Sequence, residues 1–315
     1  MIRYIPFSDK VSEDAPSVIC LGNFDGVHKG HAALISKALD IKSRSSLMGQ
    51  KIRIGALCFE TLTSDYFNKN GTHHLMTLEK KLETFQSMGL DCAYVCDFQK
   101  IKDLSPNAFI EDILLKKCSC VGAICGFDFK FGKNASGDAQ LLVDHFKNVL
   151  GNDSLCCIVP PVTVGNKVVS SSSIREAITS GSIEEATVML GRPFSITHTV
   201  VHGKHLGTKL GFPTINHVFN NSEIIPSFGI YATKTVINGE CFVSVTNVGT
   251  RPTVSSSGLI TCETHIIGES KSFYGQDAEV FFYTKLRDEK HFSSTEELSK
   301  AISADVEAAT NYFTK

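Results

Sequence analysis

Short apolar runs alternate with amphipathic stretches through the first half of the chain. Val18-Ile-Cys-Leu21, Ile52-Arg-Ile-Gly-Ala-Leu-Cys-Phe59, Ala93-Tyr-Val95, Val121-Gly-Ala-Ile-Cys125 and Leu155-Cys-Cys-Ile-Val159 each predict a buried strand. Between them, Ala32-Ala-Leu-Ile-Ser-Lys-Ala-Leu39 predicts an amphipathic helix. Leu78, Leu82 and Phe85 mark a second helical stripe that stops near Gly89. Ser105-Pro106 predicts an N-cap followed by proline at the first helical position, with Phe109, Ile110, Ile113 and Leu114 as the buried face. Strand–helix repetition of this kind predicts a parallel sheet covered on both faces. Ligands of such sheets sit at the carboxyl ends of the strands.

The pattern changes further on. Two short helices are predicted, one from Ser171 to Gly181 and one opened by the capping box Ser182-x-x-Glu185 and closed at Gly191. After Arg192 alternating strands take over, as in Ile196-Thr-His-Thr-Val-Val201 and Tyr231-Ala-Thr-Lys-Thr-Val-Ile237. Asn238-Gly239 predicts a hairpin turn into Cys241-Phe-Val-Ser-Val245. Ser294-x-x-Glu297 caps a last helix with Leu298, Ile302 and Val306 inward. The second half therefore reads as a small antiparallel barrel closed by a C-terminal helix.

Composition narrows the class. The chain has 315 residues, 42% hydrophobic and 20% charged, enough for two domains of ordinary size. A net charge of -2 supplies no basic field for nucleic acid. No apolar stretch reaches the roughly 18 residues that a membrane span needs, and Met1-Ile-Arg-Tyr-Ile-Pro6 shows no apolar signal core. A cytoplasmic protein without membrane or nucleic-acid partners is expected. Several of the 11 cysteines (Cys20, Cys58, Cys125, Cys156, Cys157) fall in predicted strands, where thiols act as small apolar side chains. Cys118-Ser-Cys120 and Cys92-x-x-x-Cys96 lack the spacing of a zinc site.

The most informative segment is Gly22-Asn-Phe-Asp-Gly-Val-His-Lys-Gly-His31, between the first apolar run and the first helix. Its glycines let backbone approach a ligand closely. A helix N-terminus offers unpaired N–H groups and a positive dipole end to an anion. His28 and His31, three residues apart, fall on one face. The combination describes a phosphate site with two imidazoles aimed into it; a glycine-containing turn with surface histidines is the plainer alternative.

Taken together, the motifs resemble the bacterial bifunctional riboflavin kinase/FMN adenylyltransferase (FAD synthetase) family. In the first half the resemblance rests on Gly22 to His31, Gly126-Phe-Asp-Phe-Lys-Phe-Gly132 and Ser170-Ser-Ser-Ser-Ile-Arg175. In the second it rests on Gly203-x-x-x-Gly207-x-x-Leu-Gly-Phe-Pro-Thr-Ile-Asn216, Gly229-Ile-Tyr-Ala232, Asn247-Val-Gly-Thr-Arg-Pro-Thr253, Glu263-Thr-His265, Tyr274-Gly275 and Arg287-Asp-Glu289. It covers nearly the whole length. It implies an α/β nucleotidyltransferase domain with a Rossmann-like parallel sheet over residues 1–187. A small antiparallel β-barrel kinase domain with a C-terminal helix would follow over 188–315. The implied reactions are phosphorylation of riboflavin by ATP to FMN, and transfer of AMP from a second ATP to FMN, giving FAD and pyrophosphate. ATP, the flavins and Mg²⁺ are the implied ligands; oligomeric state is left open.

For adenylyl transfer, the resemblance implies that His28 and His31 hold the triphosphate while Gly22, Phe24, Asp25 and Gly30 shape the loop. Ser171, Ser172 and Arg175 would clamp the outer phosphates; read alone, the four serines describe a solvated loop. Asp128 has two readings, a nucleotide or flavin contact and a helix cap. Where the family commonly has Phe-Asp/Glu-Pro-His-Pro, this chain has Phe59-Glu-Thr-Leu-Thr63. That departure motivates the alternative of a riboflavin kinase with an impaired N-terminal domain. A non-enzymatic flavin- or nucleotide-binding regulator is the third reading.

For the kinase, Thr214 and Asn216 lie two apart on an extended segment and so face the same way. They can share Mg²⁺ with ATP phosphates; a capped strand start is the structural alternative. Gly203, Gly207 and Gly211 would let a loop fold over the phosphates, and Leu206 stands where the family often has arginine. The resemblance assigns Glu263 as the base for the riboflavin hydroxyl, with His265 in support. It sets Arg287 near the bound flavin; as bare residues, Glu263 reads as a solvated strand face and Arg287 as a surface ion pair.

Overall fold

The computed structural model describes residues 3–6, 15–49, 51–66, 72–151, 154–203, 207, 210–220, 222–251 and 259–314. They group into two compact units, Met1–Ser171 and Ser172–Lys315.

In the first unit, six strands form one sheet in the order β1-β4-β3-β2-β5-β8. They are β1 (Arg3–Pro6), β2 (Ser17–Leu21), β3 (Arg53–Phe59), β4 (Cys92–Cys96), β5 (Cys120–Gly126) and β8 (Cys157–Val159). Every pairing is parallel. Two small ribbons, β6 (Lys130–Phe131) with β7 (Gly137–Asp138) and β9 (Thr163–Val164) with β10 (Lys167–Val168), decorate the later connections. The apolar runs are continuous because both faces are covered. Val18, Cys20, Ile54, Ala56 and Cys58 point to one face, under Leu34, Ile35, Ala38 and Ile41 of α1 (Lys29–Leu47) and Phe85 of α2 (Leu78–Ser87). Ile19, Leu21, Leu57, Tyr94 and Cys125 point to the other, under Phe109 to Leu114 and under Leu142 and Phe146 of the helix Ala139–Leu150. Burial pushes the thiols of Cys120 and Cys125 up to about 12, so they pack as inert apolar groups.

Two local expectations are refined. Ser105 does cap Pro106–Ala108, its hydroxyl accepting from the Ala108 N–H at 3.2 Å. The helix then continues as a π-helix over Phe109–Lys117, with the Cys118 N–H donating to the Ile113 carbonyl. The capping box at Ser182 does not form: the helix Ile183–Leu190 starts there, but the Ser182 side chain makes no cap bond and instead meets the Ser180 hydroxyl at 3.2 Å.

In the second unit, six antiparallel strands run in the order β11-β16-β13-β14-β15-β12. They are β11 (Phe194–Thr199), β12 (Thr214–Val218), β13 (Gly229–Ile237), β14 (Glu240–Arg251), β15 (Leu259–Ile266) and β16 (Asp277–Arg287). Val201, just past β11, bridges Asn216 of β12, so the sheet curls back on itself as a small barrel. The predicted turn between β13 and β14 is present, with Asn238 and Gly239 at φ 51° and 82° as a two-residue turn of the primed kind requires. The C-terminal helix Thr295–Thr314 lays Ala309 and Val306 on Ile230, Ala232 and Val245 of β13 and β14. Asp305 of that helix accepts two bonds from the Arg287 guanidinium, at 2.8 and 2.7 Å.

The opposite, interior face mixes apolar side chains with hydroxyls. Thr235, Ser244, Thr233, Thr246 and Thr264 form a continuous hydrogen-bonded ladder with steps of 2.8–2.9 Å. A hydroxyl can both donate and accept, so these buried polar atoms satisfy one another along the ladder.

His217 is different. It is wholly buried and neither ring nitrogen has a hydrogen-bond partner among the described residues. Burial, with His198 nearby, pulls it down from 6.5 to about 4. The native state therefore binds fewer protons than the unfolded chain between those values, and stability falls as pH is lowered through that window. Going from about pH 7 to about pH 5 should cost the parent on the order of 2 kcal/mol. Denaturant unfolding of His217→Leu should lack that loss.

Candidate active sites

The sheet order places β2 at the point where the connections reverse, with β3 on one side and β5 on the other. A crevice at the carboxyl ends of such strands is where open α/β sheets take ligands. The segment 22–28 leaves β2 at that end and turns into α1. Its backbone is strained: Phe24 and Val27, neither a glycine, sit at φ 52° and 38°. Packing holds it there. Phe24 is fully buried, edge-on to Phe85 at 5.1 Å and beside His31 at 4.9 Å between ring centres.

The loop is tied to the rest of the unit by buried polar bonds. The Asp25 carboxylate, 2% exposed, accepts the Leu75 N–H at 3.0 and 3.3 Å. Ser171, where a helix begins, donates its hydroxyl to the Asp25 carbonyl at 2.9 Å. Lys81, buried on α2, donates to the Asn23 carbonyl at 3.0 Å. The Asn23 amide meets the Thr63 hydroxyl at 3.2 Å, so the divergent 61–63 segment is hydrogen-bonded to the motif, with Leu62 buried beneath.

His28 and His31 come together as the site's centre. Their rings stack at 3.7 Å with 17° between planes, and His28 Nδ1 accepts the His31 N–H at 3.4 Å, capping α1. Gly30 leaves the His28 ring room. A Cβ there would stand 3.0 Å from His28 Cε1 and 3.1 Å from Nδ1, tighter than ordinary contact. Gly22 is less constrained, since a Cβ would meet the Phe24 ring at an ordinary 3.4 Å. Ser172 and Arg175 lie in the first turns of the helix Ser171–Ser180, four residues after Ser171 in the case of Arg175. Asp128 caps no helix. It sits exposed in the turn after β5, its carboxylate lying over Gly126, which removes the helix-cap reading. Lys81 and the Leu75 N–H had no signature in the sequence, because a lysine on an amphipathic helix and a backbone donor in a loop look ordinary until the fold buries them.

The second constellation is set by strand register. On β15, Glu263 lies directly opposite Asn216 of β12 on one side and Asn247 of β14 on the other. His265 lies opposite Thr214. Directly opposed residues share a face, so Thr214, Asn216, Glu263 and His265 converge. His265 Nδ1–H donates to the Pro213 carbonyl at 2.9 Å, fixing the backbone that presents Thr214. Gly203 packs flat on the Asn216 side chain; a Cβ there would collide with its amide. Gly207 accepts from Leu210 and Phe212 in a tight turn, and Gly211 adopts φ 85°. Leu206 and part of the Asn247–Thr253 motif, Pro252-Thr253, lie outside the described residues. Arg287 donates to Asp305 and to the Asp288 carbonyl, and its guanidinium lies 5.7 Å from the Phe292 ring. It is an ion pair, as a bare reading predicts, but one that pins the C-terminal helix.

Asn216 has the character of a metal ligand. Its Nδ2 is turned to the Thr214 carbonyl at 3.3 Å, leaving Oδ1 buried and without a hydrogen-bond partner among the described residues. An orphaned hard oxygen, with a threonine two residues before it on the same strand face, is a donor set that could take Mg²⁺.

Comparison with known proteins identifies the family of each half of the chain. Residues 10–173 match the FAD synthetase family model and residues 190–313 the riboflavin kinase model. The chain is 33% identical over 306 residues to the bifunctional riboflavin kinase/FMN adenylyltransferase of Bacillus subtilis, covering 96% of this chain and 94% of that protein. It is 31% identical to the protein of the same name from Escherichia coli, covering 94% and 92%. A crystal structure titled macrolide-efflux protein from Streptococcus pneumoniae superposes with a TM-score of 0.88 at 26% identity, covering 98% and 99%. Among the described residues, no helix is long and apolar enough to cross a membrane. The chain belongs to the bifunctional riboflavin kinase/FMN adenylyltransferase family.

Proposed function

We propose that the chain makes FMN from riboflavin and ATP, and FAD and pyrophosphate from FMN and ATP, at two separate sites in the cytoplasm. Residues 1–187 carry the adenylyl transfer and residues 188–315 the kinase. The observation that carries this reading is the presence on one chain of both the stacked His28–His31 pair at a helix start and the Asn216–Glu263 row.

In adenylyl transfer, a phosphate oxygen of FMN attacks the α-phosphorus of ATP and pyrophosphate leaves. Both reactants are anions, so positioning and charge neutralisation supply most of the catalysis. His28 and His31 donate to the phosphates, supported by α1 N–H groups. Ser171, Ser172 and Arg175 serve as further phosphate ligands, and Asp25 and Gly30 hold the loop in shape. Phe24 and Gly22 shape the loop around the nucleotide, and Asp128 contacts the nucleotide or the flavin. The matches of both halves to their family models favour the bifunctional reading over a kinase with an impaired N-terminal domain.

In the kinase, the primary hydroxyl of riboflavin attacks the γ-phosphorus, its proton passes to Glu263, and ADP leaves. Thr214 and Asn216 would hold Mg²⁺, which when bound neutralises charge on the ATP phosphates. Gly203, Gly207 and Gly211 let the loop lie close over those phosphates. Arg287 acts on the flavin side by holding the C-terminal helix in place.

Glu263→Gln should lower the rate of FMN formation at least roughly 100-fold, and FAD formation from supplied FMN should stay at the parent rate. Product chromatography of the two reactions checks this, and a joint loss of both would refute separate sites. The double variant His28→Ala with His31→Ala should show the reverse pattern, FAD synthesis falling roughly 100-fold or more with FMN formation intact. A double variant still making FAD at the parent rate would remove the phosphate role.

A further inference from the structure

Register places more than Glu263 and Asn216 in one line across the second unit. Asn216 faces Glu263, Glu263 faces Asn247 and Asn247 faces Ile230. Directly opposed residues on neighbouring antiparallel strands project to the same side. The row therefore runs from the candidate metal ligand, through the candidate base, to a second carboxamide and then to an apolar side chain that packs under the C-terminal helix.

Asn247 is the unassigned member. Its Oδ1 is buried and has no hydrogen-bond partner among the described residues. A buried acceptor left unpaired is costly, so Asn247 Oδ1 is suited to take a donor from a bound ligand. It cannot serve the same cation as Asn216. Strands lie about 4.8 Å apart, so β12 and β14 are separated by roughly twice that across β15. Glu263 stands between them. The attacking hydroxyl lies between Glu263 and the γ-phosphorus, so the rest of the acceptor chain extends past Glu263 on the side away from Asn216, and that is where Asn247 stands.

Resting on the kinase reading above, we propose that Asn247 is a substrate-positioning residue of that site. Its amide oxygen accepts a hydrogen bond from a hydroxyl of the acceptor's polyol chain, beside the hydroxyl that Glu263 deprotonates. The order of the row matches such an acceptor, which carries a reacting hydroxyl at one end, further hydroxyls behind it and an apolar ring at the other end.

Steady-state kinase kinetics on the full chain test this, with riboflavin and ATP varied separately. Asn247→Ala should raise KM for riboflavin about 10-fold, the effect of one lost hydrogen bond, and leave KM for ATP unchanged. Asn247→Asp keeps the shape but sets a second carboxylate opposite Glu263. Like charge raises the affinity of Glu263 for its proton, so the acid limb of the kcat–pH profile should move to higher pH. That limb reports that position 247 faces Glu263, while a rise in KM for riboflavin alone reports the hydrogen bond, and the near-isosteric Asn247→Leu reads that KM if Asn247→Ala does not fold. An unchanged riboflavin KM, or a rise in KM for ATP alone, overturns the assignment. Glu263→Gln run in parallel separates the two levels. If it retains parent kinase activity, the underlying site reading fails; if it is inactive and the Asn247 variants behave as the parent, only the Asn247 proposal fails.

Discussion

The antiparallel pairing of β15 with a strand on each side is the constraint on which the kinase half depends. It sets Glu263 opposite Asn216 and Asn247 at once. Side chains alternate along a strand, so a slip of one residue in either pairing would turn the whole set to the other face. The interior of the barrel guards against that slip. Thr246 and Thr264, adjacent in sequence to Asn247 and Glu263, are opposite each other and hydrogen-bonded at 2.9 Å inside. The hydroxyl ladder that they close is a polar lock on register, directional where an all-aliphatic interior would tolerate shifts. The functional face is thus held by bonds on the face behind it.

The first unit solves a related problem with a loop instead of a strand. A backbone that must wrap phosphates cannot satisfy itself through a sheet ladder. Here it is held by three separate segments: Leu75 through the Asp25 carboxylate, Ser171 through the Asp25 carbonyl and Lys81 through the Asn23 carbonyl. These contacts sustain the left-handed conformations of Phe24 and Val27, which local preference would not supply. The stacked histidines then stand at the start of α1, where glycine at position 30 leaves room for the His28 ring.

Much of this was legible in the residues themselves. The apolar runs at 18–21, 93–95 and 121–125 announce strands because a parallel sheet covered on both faces has no polar side to interrupt them. The glycine- and histidine-rich loop announces itself because few other uses exist for that composition between a strand and a helix. What stayed hidden depended on partners distant in sequence. Phe109, Ile110, Ile113 and Leu114 read equally well as α- or π-helix, and only the Cys118 to Ile113 bond decides. Ser182-x-x-Glu185 has the letters of a capping box, but the Ser182 hydroxyl is turned to Ser180 instead. The alternation through Thr233 and Thr235 gives the period of a strand and not which side faces inward; here the hydroxyls do, because Ser244, Thr246 and Thr264 supply their partners. Arg287 pairs with Asp305 only because the last helix docks on the barrel, and no spacing rule reveals that.

The central claim is that one chain carries two complete and separate phosphate-transfer sites. The most direct measurement is product analysis of the purified chain given riboflavin, ATP and Mg²⁺, followed over time by chromatography. The account predicts that FMN appears first and FAD follows, with one pyrophosphate released per FAD. FMN accumulating without any FAD, or riboflavin left unconverted, would contradict it.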